Sequence, residues 1–178
     1  MNLAKKFEKN VQLQNYDDKN KITGVKIIPL KRFNDETGSL TELVRLNNGS
    51  VEDLSGFELK QVNFSEIDRW AIKAFHVHKE QTDIWYVPPA NKILLILVDL
   101  REDSSTQDNR MRMVLGDGES RLVLIPPGIA HGCKNLSNHK SEIIYLVDKK
   151  FDPEPKKCDE WRLNWDHFGE NIWELSKE

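Results

Sequence analysis

Cysteine is nearly absent, with only Cys133 and Cys158 in 178 residues and neither in a Cys-x-x-Cys pair, so a disulfide framework is excluded. A reducing cytoplasm is the expected location. Long apolar runs are also missing. The longest, Ile93 to Val98, is far short of the about 20 residues that a helix needs to cross a bilayer. The first 21 residues are rich in Lys, Asn, Gln and Asp and lack an apolar core segment, so they do not read as a secretory signal. Charge of one sign is lacking as well: 26 basic and 29 acidic residues are interspersed, for a net charge of -3. That balance offers no broad basic field for nucleic acid and no polybasic anchor for a membrane, though it allows a local cationic pocket. A soluble intracellular protein is expected, with neither nucleic acid nor membrane as a partner.

The length suits one well-buried core with decorated ends. The expected division is an N-terminal arm over 1–22, a β domain over 23–152 and a C-terminal tail over 153–178. Val25 to Leu30 reads as a strand, Asn34 to Gly38 as a turn cluster, and Ser39 to Leu46 alternates apolar and polar residues like a half-buried strand. Short strand-like runs follow over 58–64, 71–77, 83–87, 92–100, 110–115, 120–125 and 142–148, punctuated by Pro88-Pro89, Gly116-Asp-Gly118 and Pro126-Pro127-Gly128. Many short strands with such punctuation predict an all-β barrel or sandwich. The tail carries Trp161, Trp165 and Trp173 and is expected to form one or two short helices, the tryptophans stapling it onto the barrel.

Two histidine-bearing motifs carry chemistry. His76-Val-His78 is followed at the right spacing by Asp83, and Pro126-x-Gly128-x-x-His131-x-x-x-Asn135 places a histidine just after a Pro-Gly turn. Together these resemble the two cupin motifs, which implies a double-stranded β-helix, or jelly roll; Ala90 stands where the first motif has a glycine.

Within the cupins the chain resembles the dTDP-4-dehydrorhamnose 3,5-epimerase family over roughly residues 25 to 170. The resemblance rests on Asp35 to Glu42, Gln61-Val-Asn63-Phe-Ser65, Lys73-Ala-Phe-His76, Val98-Asp-Leu-Arg101, Ile125 to Gly132 and Ile143-Ile-Tyr145. It implies that His76 is the base that removes a proton beside the C4 ketone of a nucleotide-linked 4-keto-6-deoxy sugar. Tyr145 is implied as the acid that reprotonates the opposite face. Glu42 and Gln61 correspond to ligand contacts, Lys73 stands where an arginine faces the diphosphate, and His131 is a second pocket histidine. The chemistry suits these residue types. A carbon next to a ketone is acidic because its carbanion is an enolate, histidine titrates near neutral pH, and tyrosine is protonated there. A homodimer and a nucleotide-sugar substrate are implied, with no cofactor.

The chain departs from the family pattern at three places. Thr37 replaces an arginine, Asp83 stands where an enolate-stabilising lysine is expected, and the family's C-terminal aspartate that orients the base has at best Glu178 as a counterpart. Asp83 opens an alternative: His76, His78, Asp83 and His131 form a three-histidine, one-carboxylate set suited to a divalent transition metal. A non-catalytic sugar-nucleotide-binding cupin is a further alternative. Residue by residue, His78 is as readily a structural hydrogen-bonding group, Tyr145 a core tyrosine, and Asp99-Leu-Arg101 a structural ion pair, while His139 and His167 read as surface residues.

Overall fold

The structure, a computed structural model, describes residues 4–11, 13, 21–52 and 54–175. Its strands are β1 (Lys26–Pro29), β2 (Arg32–Asn34), β3 (Ser39–Thr41), β4 (Leu46–Asn47), β5 (Ser50–Val51), β6 (Gln61–Ile67), β7 (Ile72–Val77), β8 (Asp83–Tyr86), β9 (Lys92–Asp99), β10 (Arg110–Gly116), β11 (Arg121–Ile125), β12 (Ile129–Asn135), β13 (Ser141–Val147) and β14 (Trp161–Arg162). Among the described residues helix is confined to one turn, α1 (Lys5–Glu8), and a 3-10 turn over Glu170–Trp173.

Two five-stranded antiparallel sheets, in the orders β1-β11-β8-β13-β6 and β10-β9-β12-β7-β14, face one another. This is the expected all-β cupin jelly roll. The inner faces close on one core that includes Ile93, Leu95, Leu97, Val123, Ile125 and Ile143. Strand β9 is buried on both sides, which explains its unbroken apolar run. Its other face, Leu94, Ile96 and Val98, packs with Phe75, Ile172 and Trp173, so the tail covers the outside of that sheet. The segment around Val51, Leu54 and Phe57 covers the outer face of the other sheet.

Five features differ from the sequence reading. The alternating run from Ser39 pairs as a strand only to Thr41, in a two-stranded ribbon with β2 whose Leu40 is 70% exposed; Leu43 and Val44 pack instead on the outer cluster. The second motif is itself a strand, β12, in addition to a turn. Tail residues 161–162 form an edge strand on β7, where a helix was expected. Only one tryptophan staples the tail: Trp173 is 2% exposed, whereas Trp161 and Trp165 are 49% and 44% exposed. Trp161 turns outward from its edge strand, under the Lys79 ammonium at 3.9 Å. Ile22, placed in the arm by the sequence reading, is buried in the inner core.

Gly128 explains the Pro-Gly turn of the second motif. Its φ of +79° is in the left-handed region, and a Cβ there would lie 2.5 Å from Arg101 Cγ, so glycine is needed to bring the chain back as β12. Among the described residues no helix is long and apolar enough to cross a membrane.

Candidate active site

A cavity of about 510 Å³ opens between the two sheets, and both histidine motifs line it. Strands β7 and β12 bring His76 and His131 from one wall as register partners, their rings stacked with centroids 5.9 Å apart. Strands β8 and β13 bring Asp83, Trp85 and Tyr145 from the other. Lys73 also lines the cavity, which regular alternation forbids, because residues three apart in a strand face opposite sides. An irregularity in register resolves this. His131 and Cys133, two residues apart, oppose His76 and Lys73, three apart, so an extra residue in β7 returns Lys73 to the inner face.

His76 Nδ1 lies 2.5 Å from Glu160 Oε1. A carboxylate accepts, so Nδ1–H donates and Nε2 is the ring atom left to take a proton. The hydrogen bond with His76 is the main cause that holds the Glu160 carboxyl below the usual carboxylate range, against burial. Glu160 is the residue that sequence reasoning missed, along with Arg162, which also lines the cavity. Glu160 precedes, and Arg162 ends, a two-residue strand too short for any periodic signal. Their loop is pinned by Asp159, whose carboxylate accepts the backbone N–H groups of Lys79, Glu80 and Gln81, each at 2.9 Å. Burial opposes ionisation of Asp159, but these three donors together keep its pKa lowered. Glu178, the expected orienting carboxylate, lies outside the described residues.

The cavity floor holds His78, Asp83 and His131, all buried. Their ligating atoms lie within 4.8 Å of one another. The four-residue metal set of the sequence reading therefore reduces to three, with His76 engaged by Glu160. His131 is drawn down to about 4, first by burial, and so is neutral at physiological pH. Gln81 Nε2 donates to Asp83 Oδ1 at 2.8 Å, and Trp85 Nε1–H to Oδ2 at 3.3 Å.

Tyr145 packs edge-on against Trp85, ring centroids 4.7 Å apart, and Ser65 hydrogen-bonds its hydroxyl. Burial, ahead of the nearby acidic groups, pushes its pKa above the ordinary phenol value, so it is protonated at any working pH. Lys73 Nζ donates to Ser65 Oγ at 2.9 Å and to the Glu66 carbonyl at 2.5 Å. Two residues named from the sequence lie away from this cluster. Gln61 bonds Asn63 Oδ1 at 2.8 Å and accepts the Phe151 N–H at 3.0 Å without lining the cavity. Glu42 borders a separate depression beside Leu43 and Val44, paired with Arg45 at 2.9 Å. Asp99 and Arg101 form a structural pair away from the cavity, at 2.8 Å.

The family model for dTDP-4-dehydrorhamnose 3,5-epimerase matches residues 19–173. The chain belongs to the dTDP-4-dehydrorhamnose 3,5-epimerase family. It is 35% identical over 145 residues to the spore coat polysaccharide biosynthesis protein SpsL of Bacillus subtilis (strain 168), covering 82% of this chain and 91% of that one. Among solved structures, the dTDP sugar isomerase from Desulfovibrio desulfuricans G20 shares the fold, with a TM-score of 0.72 at 22% identity over 82% of this chain and 87% of that one. The dTDP-6-deoxy-D-glucose-3,5-epimerase RmlC from Legionella pneumophila Philadelphia 1, solved with dTDP-4-keto-L-rhamnose, is 26% identical with a TM-score of 0.67, covering 79% of this chain and 73% of that one. Members of this family are sugar-nucleotide epimerases and isomerases. Against the family pattern read from the sequence, the site keeps the histidine and tyrosine but has Glu160 beside the histidine and Asp83 in place of a lysine.

Proposed function

We propose that this protein inverts a ring carbon beside the ketone of a dTDP-linked 4-keto-6-deoxy sugar, with His76 as base and Tyr145 as acid, in deoxysugar or polysaccharide biosynthesis. The observation that carries this reading is that the two residues enter one cavity from opposite sheets, with His76 tied through Nδ1 to Glu160. His76 Nε2 removes the proton, the C–H electron pair passes into the enolate, and the Tyr145 hydroxyl delivers a proton to the other face. Solvent then restores both side chains. The reaction is redox-neutral and requires no redox cofactor.

Glu160 has two roles in this scheme: it holds the ring tautomer and stabilises the imidazolium once it forms. Trp85 and the buried floor keep the reacting carbon away from bulk water, where the enolate would be protonated without facial control. Lys73 and Arg162 supply positive charge for the diphosphate, offsetting the arginine replaced by Thr37.

We also propose a homodimer. Among the described residues strand β6 is a sheet edge, with Val62 and Phe64 56% and 63% exposed, and the β2–β3 ribbon exposes Phe33 and Leu40. A ligand contact by Glu42, the residue after β3, is then made from a neighbouring copy. A reducing cytoplasm fits the two free thiols, Cys133 and Cys158.

The test is proton exchange. Incubation of dTDP-4-keto-6-deoxyglucose with the protein in deuterated water is expected to place deuterium at a carbon flanking the ketone, and His76→Ala to abolish it. Absence of exchange across a panel of 4-keto-6-deoxy nucleotide sugars would overturn the assignment.

A further inference from the structure

The floor of the cavity holds an arrangement that proton transfer by His76 and Tyr145 leaves unused. His78 Nδ1 lies 2.7 Å from the Asp159 carbonyl and His131 Nδ1 lies 3.0 Å from the Ile129 carbonyl. A carbonyl can only accept, so both rings carry their proton on Nδ1 and, when neutral, present a lone pair at Nε2. Both Nε2 atoms face the same carboxylate oxygen, Asp83 Oδ2, at 3.8 Å from His78 and 3.5 Å from His131. Three electron-rich atoms thus converge, on side chains only 6%, 7% and 3% exposed.

The separations discriminate between the two ways of neutralising such a cluster. A proton shared with the carboxylate would draw nitrogen and oxygen to about 2.7–2.9 Å. Ligand atoms about 2.0–2.2 Å from one tetrahedral cation lie about 3.3–3.6 Å from each other, close to the two nitrogen–oxygen separations of 3.5 and 3.8 Å, with all three atoms within 4.8 Å of one another. We propose that His78, Asp83 and His131 bind a single divalent first-row transition-metal ion at the floor of the cavity, with His76 outside its ligand set.

The surroundings support a built site. Each imidazole is oriented by a backbone carbonyl, and Asp83 is held by Gln81 and more loosely by Trp85, which is how outer groups position metal ligands. Two other groups approach. Gln81 Nε2 stands 3.4 Å from His78 Nε2, and Glu160 Oε2 stands 3.9 Å from the same atom on the side toward His76. Two imidazoles and one carboxylate, with remaining positions facing the cavity, suit Fe2+, Mn2+, Ni2+ or Zn2+ better than Mg2+ or Ca2+. An ion here would supply positive charge on the wall where Asp83 occupies the place of a lysine. The site stands on ion binding alone, whatever sugar the cavity takes.

The test is metal analysis and titration of the full chain. Protein purified without chelator is expected to hold up to one transition ion per chain. After stripping, at least one of Zn2+, Ni2+, Mn2+ or Fe2+ should rebind at one per chain in calorimetry and raise the thermal midpoint. Asp83→Asn and, independently, His78→Asn are expected to weaken that binding more than about tenfold. His76→Ala should leave it unchanged. Circular dichroism identifies any variant that fails to fold, in which case the other carries the test. The proposal is overturned if the stripped wild-type chain binds none of the four ions at millimolar concentration. It is equally overturned if a folded Asp83→Asn or His78→Asn binds as tightly as wild type, as adventitious surface binding would.

Discussion

Replacing Glu160 by glutamine keeps the side chain's size and one oxygen beside His76 Nδ1 while removing the negative charge. The pair is separated by 2.5 Å and its side chains are 25% and 28% exposed, so the contact is short but partly open to solvent. A hydrogen bond to a charged partner contributes about 1.5–3 kcal/mol, and the benefit grows as the imidazole becomes positive on taking the substrate proton. With each 1.36 kcal/mol worth about tenfold in rate, turnover should fall about 10- to 150-fold, and partial exposure favours the lower part of that range. The Michaelis constant should change little, because the charge matters most once the proton has moved. Arg162, whose Nη2 lies 3.3 Å from the same Glu160 oxygen, loses an exposed partner, which costs little. The assay is steady-state epimerisation of a dTDP-4-keto-6-deoxy sugar together with deuterium exchange, with circular dichroism as the control for folding. A folded Glu160→Gln that turns over as fast as the parent would refute the idea that Glu160 positions and charges the base. A loss confined to the Michaelis constant would refute it too.

Tyr145→Phe should retain deuterium exchange through His76 while inversion falls by about 10²-fold, as product analysis would show; equal loss of both would argue against a separate acid on the second face. Asp99→Asn removes a buried carboxylate bonded to Arg101, Ser104 and Thr106 and should cost about 2–3 kcal/mol in denaturant unfolding. Because the folded state holds that carboxyl below its ordinary value, its stabilisation is complete above about pH 4 and disappears as pH falls further; the gap between wild type and variant should be flat near neutrality and close only in acid. Trp173→Ala should destabilise by about 3–5 kcal/mol, since that ring lies against Phe75 and its indole N–H donates to the Trp165 carbonyl at 2.8 Å; a change below about 1 kcal/mol would mean that the tail does not hold the outer face of β9. Phe64→Asp, on the free edge strand, should shift the protein toward monomer in light scattering without unfolding it, and an unchanged mass would point the dimer contact elsewhere.

Much of the fold was legible because its signals are local. Turn residues and short alternating runs marked most strands, and β9 stood out as a six-residue apolar core. The errors fell where burial did not follow the pattern. The β3 alternation predicted a half-buried strand, but it pairs only with β2 among the described residues, in a two-stranded ribbon that leaves Leu40 in solvent. Tryptophan content predicted three staples, but edge position turns Trp161 outward. Of the site residues, His76, His78, Asp83, His131, Tyr145 and Lys73 share one cavity, while Gln61 and Glu42 do not border it in a single chain.

Taken alone, the sequence determined that this is a jelly roll carrying two histidine motifs, because spacing within a motif and turn chemistry act over a few residues. Only the tertiary structure decided what each imidazole touches. His76 meets Glu160 from 84 positions away across an edge pairing, and Lys73 reaches the cavity through an extra residue in β7. His78 and His131 turn their lone pairs on Asp83 because backbone carbonyls from different segments take their other ring protons. Such contacts depend on strand register and on loops closing at a distance, and no local run of residues records them.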